Sequence, residues 1–190
     1  MKNIFKLLII TIHLSIIALP GQASVARYQA LTTLQNDTLP VPKNIKNLLF
    51  YVQRDPNTNT VIYELNQTPD GKLNEKEPVK IYWIRYAEKG VRQDLNYFQR
   101  KLAYGINVKK ITPQDYELRF VCYPKLVLNL SKDKNGIYHV YSNINQKKAI
   151  LNRVFVRIQG GTFWVPNVLY ADLYEKDLAS GKEIINRIKP

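Results

Sequence analysis

Cysteine and histidine are almost absent from this sequence. Its 190 residues include one cysteine, Cys122, and two histidines, His13 and His139. A single cysteine cannot form an internal disulfide, and the sequence has no HxH, HExxH or CxxC spacing from which a zinc site could be built. Alternating βαβ units, which a dinucleotide-binding sheet needs, are missing as well. We therefore expect no metal site and no cofactor.

Acidic residues are scarce too. The chain has 28 Lys and Arg against 15 Asp and Glu, a formal net charge of +13. Zinc-finger, helix-turn-helix and RNA-binding-sheet patterns are all missing, so we expect no nucleic-acid partner. Anionic lipid, acidic polysaccharide or an acidic envelope protein are the expected partners. The alternative is a merely solvated basic surface, because the cations are scattered along the chain.

No apolar run is long enough to span a membrane. Residues 7–19 are apolar, but a span of the hydrocarbon core needs about 20 residues. Lys2 and Lys6 precede this run, and small residues follow it, as in a secretory signal peptide. We predict a signal peptide over residues 1–23, with cleavage after Ala26 as the alternative. The protein is then exported to the periplasm or the exterior, without lipidation and with no remaining membrane span.

The remaining sequence is predicted to form an extended lead-in and one β-rich domain. Residues 24–46 are polar and contain Pro40 and Pro42, which favours a lead-in with little regular structure. From residue 47 to residue 190 the hydrophobic period is mostly two, which is typical of half-buried strands. The segments 48–54 and 60–66 flank an Asp-Pro-Asn-Thr-Asn turn and predict a β-hairpin.

Further short strands are expected at regular hairpin spacing. Apolar, β-branched and aromatic residues predict them at 79–86, 106–111, 116–123, 126–130, 137–142, 149–159, 168–174 and 183–188. The fold class is therefore mainly β, a single-domain antiparallel β-sandwich or partly closed barrel. One short helix is predicted at about 95–104, capped by Asp94, with Leu95, Phe98 and Leu102 on its buried face.

Several blocks of sequence together resemble a known family. They are NLLFYVQRDPNTNTVIYELN (47–66), PVKIYWIRY (78–86), QRKLAYGI (99–106), VFVRI (154–158) and the tail from residue 163 to residue 190. In their order and residue content they resemble an uncharacterised family of exported bacterial proteins, domain of unknown function number 4833. The resemblance implies export and a single domain, and it supplies no activity. Glu175 and Asn186 depart from the family pattern, in which a glycine and an acid are common at these positions.

Cys122 and His139 are the only conventional nucleophile and base left after signal cleavage. A secreted hydrolase could use them as a Cys/His dyad, or could use a carboxylate centre that involves Glu64 and Glu117. However, alternation along residues 116–123 places Cys122 on the apolar side of a strand, which predicts a buried core residue. His139 alternates with Ile137 and Tyr141 and is expected to be structural.

Arginine within apolar strands is the most unusual pattern. The predicted ligand-binding residues are Arg54, Arg85, Arg119 and Arg157, with Trp83 beside them. If these side chains converge at one end of the fold, they form a receptor for carboxylate or phosphate, because a guanidinium binds such groups through two parallel hydrogen bonds. The alternative is that each arginine extends to solvent or pairs separately with an acid.

The leading hypothesis from the sequence is an exported, non-enzymatic β-domain. It would bind an anionic or amphipathic ligand, or an envelope partner, through strand arginines and aromatic residues. The alternative hypothesis is the secreted hydrolase with a Cys122/His139 or carboxylate centre. The relative positions of Cys122, His139 and the arginines distinguish the two.

Overall fold

The computed structural model describes residues 39–55, 57–144, 146–162 and 166–190. The described residues from Leu39 to Pro190 form one compact unit. Residues 1–38 lie outside the described part, and with them the predicted signal peptide and most of the predicted lead-in. Export and the cleavage position therefore remain predictions. Among the described residues, no helix has both the length and the apolar character that crossing a membrane requires.

The described chain is mainly β, which confirms the predicted fold class. It contains a 3-10 turn at Tyr86–Glu88 and one short α-helix, α1 (Tyr97–Leu102). Its eleven strands are β1 (Leu48–Arg54), β2 (Asn57–Leu65), β3 (Val79–Arg85), β4 (Val91–Asp94), β5 (Ile106–Lys110), β6 (Tyr116–Phe120), β7 (Tyr123–Lys132), β8 (Tyr138–Ile144), β9 (Lys147–Gly161), β10 (Pro166–Asp177) and β11 (Glu183–Ile188).

The long strand β9 divides the sheet into two arms. Its residues Ala149 and Ile150 pair with both β8 and β10, while Arg153 to Val156 pair with both β1 and β10. Strands β8 and β1 therefore lie one after the other along the same edge of β9. The first arm runs from β1 to β4 and the second from β8 to β5, while β10 and β11 continue beyond the opposite edge of β9.

The two arms curl toward each other and enclose the hydrophobic core, so the single sheet forms a half-barrel. Phe50 and Tyr63 of the first arm stack with ring centroids 4.3 Å apart, and Phe120 of the second arm packs edge-on against both. Of the two predicted architectures, the partly closed barrel describes the fold. The expectation of antiparallel pairing is wrong at one place, because β1 and β9 are parallel. The chain between β1 and β9 contains β2 to β8, so it is long enough for the crossover connection that parallel pairing requires.

Residues 39–46 form no regular element, yet they pack against the sheet. The Gln53 side chain, which is 2% exposed, donates a hydrogen bond from Nε2 to the Pro40 carbonyl at 2.7 Å. Pro42 is buried. The end of the predicted lead-in is thus part of the compact unit.

The helix differs from its prediction in its cap and in its exposed face. Asn96, not Asp94, caps α1: its side chain accepts from the Gln99 amide at 2.9 Å, while Gln99 Oε1 accepts from the Asn96 amide at 3.0 Å. Asp94 instead ends the edge strand β4, whose polar sequence carries no apolar alternation. Leu95 is buried as predicted, but Phe98 and Leu102 are 58% and 61% exposed.

Candidate functional site

Three predicted site residues meet around Tyr104 at one end of the core. The Tyr104 ring lies 4.9 Å from the Trp83 ring in an edge-on contact, and the Arg54 guanidinium carbon lies 6.0 Å from the Tyr104 ring centroid. Cys122 follows Val121, whose amide is hydrogen-bonded to the carbonyl of Gly105, so the Cys122 turn lies beside the Tyr104 loop. We call these four residues, Arg54, Trp83, Tyr104 and Cys122, the mouth. Sequence reasoning had singled out three of them and had missed Tyr104.

The local backbone explains how Tyr104 comes to lie there. Gly105 follows it, and a Cβ at Gly105 would lie 1.8 Å from the Arg100 carbonyl oxygen, so the chain turns out of α1 only where no side chain is present. The Tyr63 hydroxyl then donates to the Tyr104 carbonyl at 2.7 Å. The Val121 amide donates to the Gly105 carbonyl at 3.0 Å, which holds the Cys122 turn beside the same loop. In the sequence, the Tyr-Gly pair that follows the helix was the signal that could have identified Tyr104.

The mouth carries one charge at neutral pH. Burial raises the pKa of Tyr104, an effect that Arg54 partly opposes and Cys122 reinforces. Burial also raises the pKa of Tyr63 well above its ordinary value, with Cys122 and Tyr104 as smaller causes. The pKa of the Cys122 thiol is raised by burial as well. All three groups are therefore uncharged at pH 7, and the guanidinium of Arg54 is the charge that a ligand would meet.

Arg54 differs from the other predicted arginines in having no acid partner among the described residues. Arg85 lies two residues beyond Trp83, but it contacts Glu88 at 2.5 Å and donates to Gln93 at 2.7 Å. Arg119 binds Glu117 and the Pro124 carbonyl, both at 2.8 Å.

Arg157 pairs with Asp55, next to the end of β1. Arg119 and Arg157 also alternate with core residues of their strands and so lie on the outer surface of the sheet. The structure therefore brings Arg54 and Trp83 together, leaves Arg85 near them in its own ion pair, and separates Arg119 and Arg157 from the mouth.

Cys122 is not the buried core residue that its alternation predicted. Strand β6 ends at Phe120, whose partner across the hairpin is Tyr123, so Val121 and Cys122 form the tight turn between β6 and β7. Cys122 is exposed as a residue, although its neighbours desolvate the sulfur. The raised pKa of the thiol lowers the thiolate fraction at neutral pH, which is the opposite of what a cysteine nucleophile needs.

The geometry does not assemble a Cys/His dyad. His139 pairs across β7 with Ser131, whereas Cys122 precedes the first residue of the same strand. At about 3.3 Å per residue, the two positions are roughly 25–30 Å apart along β7. His139 instead lies 3.4 Å from Asp133, a structural contact within the β7–β8 hairpin.

The carboxylates of the alternative hydrolase centre are also separate. Glu64, on β2 of the first arm, accepts a hydrogen bond from the Tyr82 hydroxyl at 2.6 Å. Burial is the larger cause that raises the pKa of Tyr82, and this bond to Glu64 adds to it. Glu117 lies on β6 of the second arm and is engaged by Arg119. Within the described ranges, no group of three histidine, cysteine or acidic side chains is placed to hold a metal ion.

The β10–β11 hairpin holds an ion pair that sequence reasoning did not find. Asp172, which is 2% exposed, accepts two hydrogen bonds from Arg187, at 2.7 and 2.8 Å. The guanidinium of Arg187 also stacks 3.7 Å above the centre of the Tyr170 ring. We call Asp172 and Arg187, with the Tyr170 ring beneath the guanidinium, the outer ion pair. Asp172 and Arg187 are direct cross-strand partners, so only the strand register could have predicted the contact.

The two departures from the family pattern contact each other. Glu175 is fully buried, and the Asn186 side-chain amide donates to its Oε2 at 2.6 Å. An acid at position 186 would place a second carboxylate against the first, whereas asparagine supplies a donor to one oxygen of Glu175. The other oxygen, Oε1, is buried and has no hydrogen-bond partner among the described residues. The last hairpin therefore contains a hydrogen-bonded pair at these two positions.

An open groove of about 480 Å³ lies between the second arm and the end of β11. It is lined by Tyr123, Lys125, Leu126, Val127, Asn129, Asn143, Ile144 and Ile188. Lys125 is its one charged lining residue, and none of the predicted site residues takes part.

The fold and its charged side chains define a small β half-barrel whose described arginines are mostly held in ion pairs and whose mouth carries one cation without an acid partner. The chain belongs to the family described as Domain of unknown function (DUF4833), whose profile matches residues 50–187. This confirms the resemblance seen in the sequence. No curated protein and no solved structure matches the chain significantly.

Proposed function

We propose that this protein is an exported, non-enzymatic β-domain that binds an anionic ligand, with a carboxylate or phosphate group held at the mouth. Export is proposed from Lys2, Lys6, the short apolar run and the small residues that follow it. The observation that carries the binding proposal is the half-buried guanidinium of Arg54, which meets no acid among the described residues and stands beside Trp83 and Tyr104.

Three properties of the mouth support this proposal. A half-buried guanidinium binds an oxyanion more strongly than an exposed one does, because water screens the charge less. The neighbouring tyrosines and the thiol are uncharged at neutral pH, so nothing in the mouth repels an anion. The Trp83 and Tyr104 rings offer apolar surface to the uncharged part of an amphipathic ligand.

The test is a thermal-shift measurement of the full chain with inorganic phosphate, citrate and heparin, which present phosphate, carboxylate and acidic polysaccharide in turn. A ligand at 100 times its Kd should stabilise the fold by about 2.7 kcal/mol. For a chain of this size that is a Tm increase of roughly 5–10 °C. Arg54→Gln should abolish the increase, because glutamine keeps polarity but removes the charge.

Arg119→Gln is the matched control, because it removes an arginine that is already engaged by Glu117 on the other arm. It should leave the ligand-dependent increase unchanged. The proposal is wrong if none of the three probes raises the Tm, or if Arg54→Gln responds to them as the unmodified chain does.

A further inference from the structure

The short helix α1 presents its apolar side to solvent. Tyr97 and Leu102 are 69% and 61% exposed, and Phe98 is 58% exposed. The Tyr97 and Phe98 rings pack edge-on at 5.7 Å, so they form one continuous aromatic surface. Helices on soluble domains ordinarily turn such residues toward the core.

The side of α1 that faces the domain is the polar one. At about 100° per residue, Tyr97, Phe98, Lys101 and Leu102 fall within one arc of roughly 140°. Gln99 lies outside this arc, and its side chain accepts a hydrogen bond from the Trp83 indole at 3.3 Å. Helix α1 is thus fixed to the domain through Gln99, with three apolar residues and one lysine directed away from it.

Cations lie within α1 and in the chain just before it. Lys89 and Arg92 precede α1 in and beside the exposed edge strand β4, and Arg100 and Lys101 lie within the helix. Asp94 is the one acid in the sequence from Lys89 to Leu102. Lys89, Arg92 and Lys101 have no ion pair among the described residues, and Arg100 reaches Glu77 only at 3.8 Å.

We propose that this surface, formed by Tyr97, Phe98, Lys101 and Leu102 with Arg100 beside them on the helix, docks on a membrane that carries anionic headgroups. Tyrosine and other aromatic side chains are favoured at the membrane interface, where the ring is buried and the polar atom stays hydrated. Lysine and arginine beside them are attracted to anionic lipid.

Charge complementarity favours a bilayer over a second copy of this chain. Two copies would bring Arg100 and Lys101 of one against the same residues of the other, on a protein whose formal charge is already +13. None of the surface residues belongs to the mouth, so the proposal holds even if the mouth binds no anion.

The first measurement is co-sedimentation of the full chain with vesicles of phosphatidylcholine alone and of phosphatidylcholine with 30% phosphatidylglycerol. Binding should be at least tenfold tighter to the anionic vesicles. The double variant Tyr97→Ser/Leu102→Ser and the variant Lys101→Glu should each weaken that binding by about tenfold or more. Ile185→Ser is the matched control, since Ile185 is also an exposed apolar residue, 57% exposed, but lies on β11.

The second measurement locates the contact on the protein. An environment-sensitive fluorophore is attached at Leu102→Cys, or at Ile185→Cys for comparison, in a Cys122→Ser background. Anionic vesicles should shift the emission of the first label to the blue and leave the second unchanged. The apolar run at residues 7–19 is common to all variants, so only the differences between them report on this surface.

The proposal is overturned by equal binding to both vesicle types, by loss of binding in Ile185→Ser to the same extent, or by an unshifted label at position 102. Dimerisation that is lost in Tyr97→Ser/Leu102→Ser, without vesicle binding, would assign the surface to a second copy instead. Loss of vesicle binding in Arg54→Gln alone would assign the lipid to the mouth.

Discussion

Arg54 in the mouth and Arg187 in the outer ion pair have similar surroundings but different partners. Each is a half-exposed arginine near a tyrosine ring, with Tyr104 at 6.0 Å from Arg54 and Tyr170 at 3.7 Å from Arg187. In the strand register Arg187 lies opposite the acid Asp172, whereas Arg54 lies opposite the neutral Asn57.

This difference of one cross-strand neighbour separates a structural arginine from an available one. Arg187 uses its fork of donors within the protein, on a carboxylate that is almost fully buried. Among the residues described, Arg54 has no acid partner, so its charge is not used within the protein in this way. Removing the acid partner of Arg187 and removing Arg54 itself should therefore have different consequences for stability and for binding.

The largest expected effect is on the outer ion pair. Asp172→Ala removes two charge-assisted hydrogen bonds between a nearly buried carboxylate and Arg187, whose side chain is 36% exposed. We expect the free energy of unfolding to fall by about 2–3 kcal/mol, measured by urea denaturation at pH 7. Glu117→Ala, which breaks the more exposed pair with Arg119, should lower the free energy of unfolding by clearly less. Equal losses in the two variants would contradict the distinction between the pairs.

A smaller effect is expected for Tyr63, whose hydroxyl holds the backbone of Tyr104 in the mouth. Tyr63→Phe removes the hydrogen bond to the Tyr104 carbonyl and should cost about 1 kcal/mol at pH 7. The pKa of Tyr63 is raised in the fold, so the folded state holds this proton more tightly than the unfolded state does. The associated stability is complete below the ordinary tyrosine pKa of about 10 and is lost as the pH rises above it.

Tyr63→Phe should therefore lose less stability than the unmodified chain between pH 9 and pH 11. Urea denaturation across this range measures the effect, and Tyr97→Phe, at an exposed ring, is the control that should leave the slope unchanged. An identical slope in Tyr63→Phe would mean that this hydroxyl does not contribute to alkaline unfolding.

The smallest expected effect on stability is at Arg54 itself. Arg54→Gln removes no ion pair among the described residues, and the contact with Tyr104 is at the outer limit of a cation–π interaction. The free energy of unfolding should change by about 0.5 kcal/mol or less in urea denaturation. A loss as large as that of Asp172→Ala would place Arg54 among the structural arginines and would remove the basis of the proposed anion site.

Local patterns predicted the strands well where apolar residues alternate. Strands β1 and β11 have the predicted bounds, and β2 forms the predicted hairpin with β1 but begins at Asn57, inside the predicted turn. Strand β4 was missed because Val91–Asp94 has no apolar alternation: it is an edge strand with all four residues exposed. Cys122 was misplaced because the β6 pattern does not reveal that the strand stops at Phe120 and turns.

The candidate site was less predictable, since it depends on contacts between distant segments. Trp83 and Arg54 share a site only because β1 and β3 lie in one arm, and Tyr104 joins them only because Gly105 allows the chain to turn after α1. The periodicity of Leu95, Phe98 and Leu102 predicted one shared helix face. In the fold, Leu95 is buried ahead of the helix and Gln99 faces the domain, whereas Phe98 and Leu102 are exposed.

The sequence by itself determined the mainly β fold, the family and the excess of basic residues, because periodicity, turn residues and composition are local properties of the chain. The tertiary structure alone decided which of the predicted site arginines lacks an acid partner among the described residues, where Cys122 lies relative to His139, and which face of α1 meets solvent. These features depend on strand register and on the closure of two arms around β9, where residues far apart in sequence become neighbours and no local pattern records the pairing.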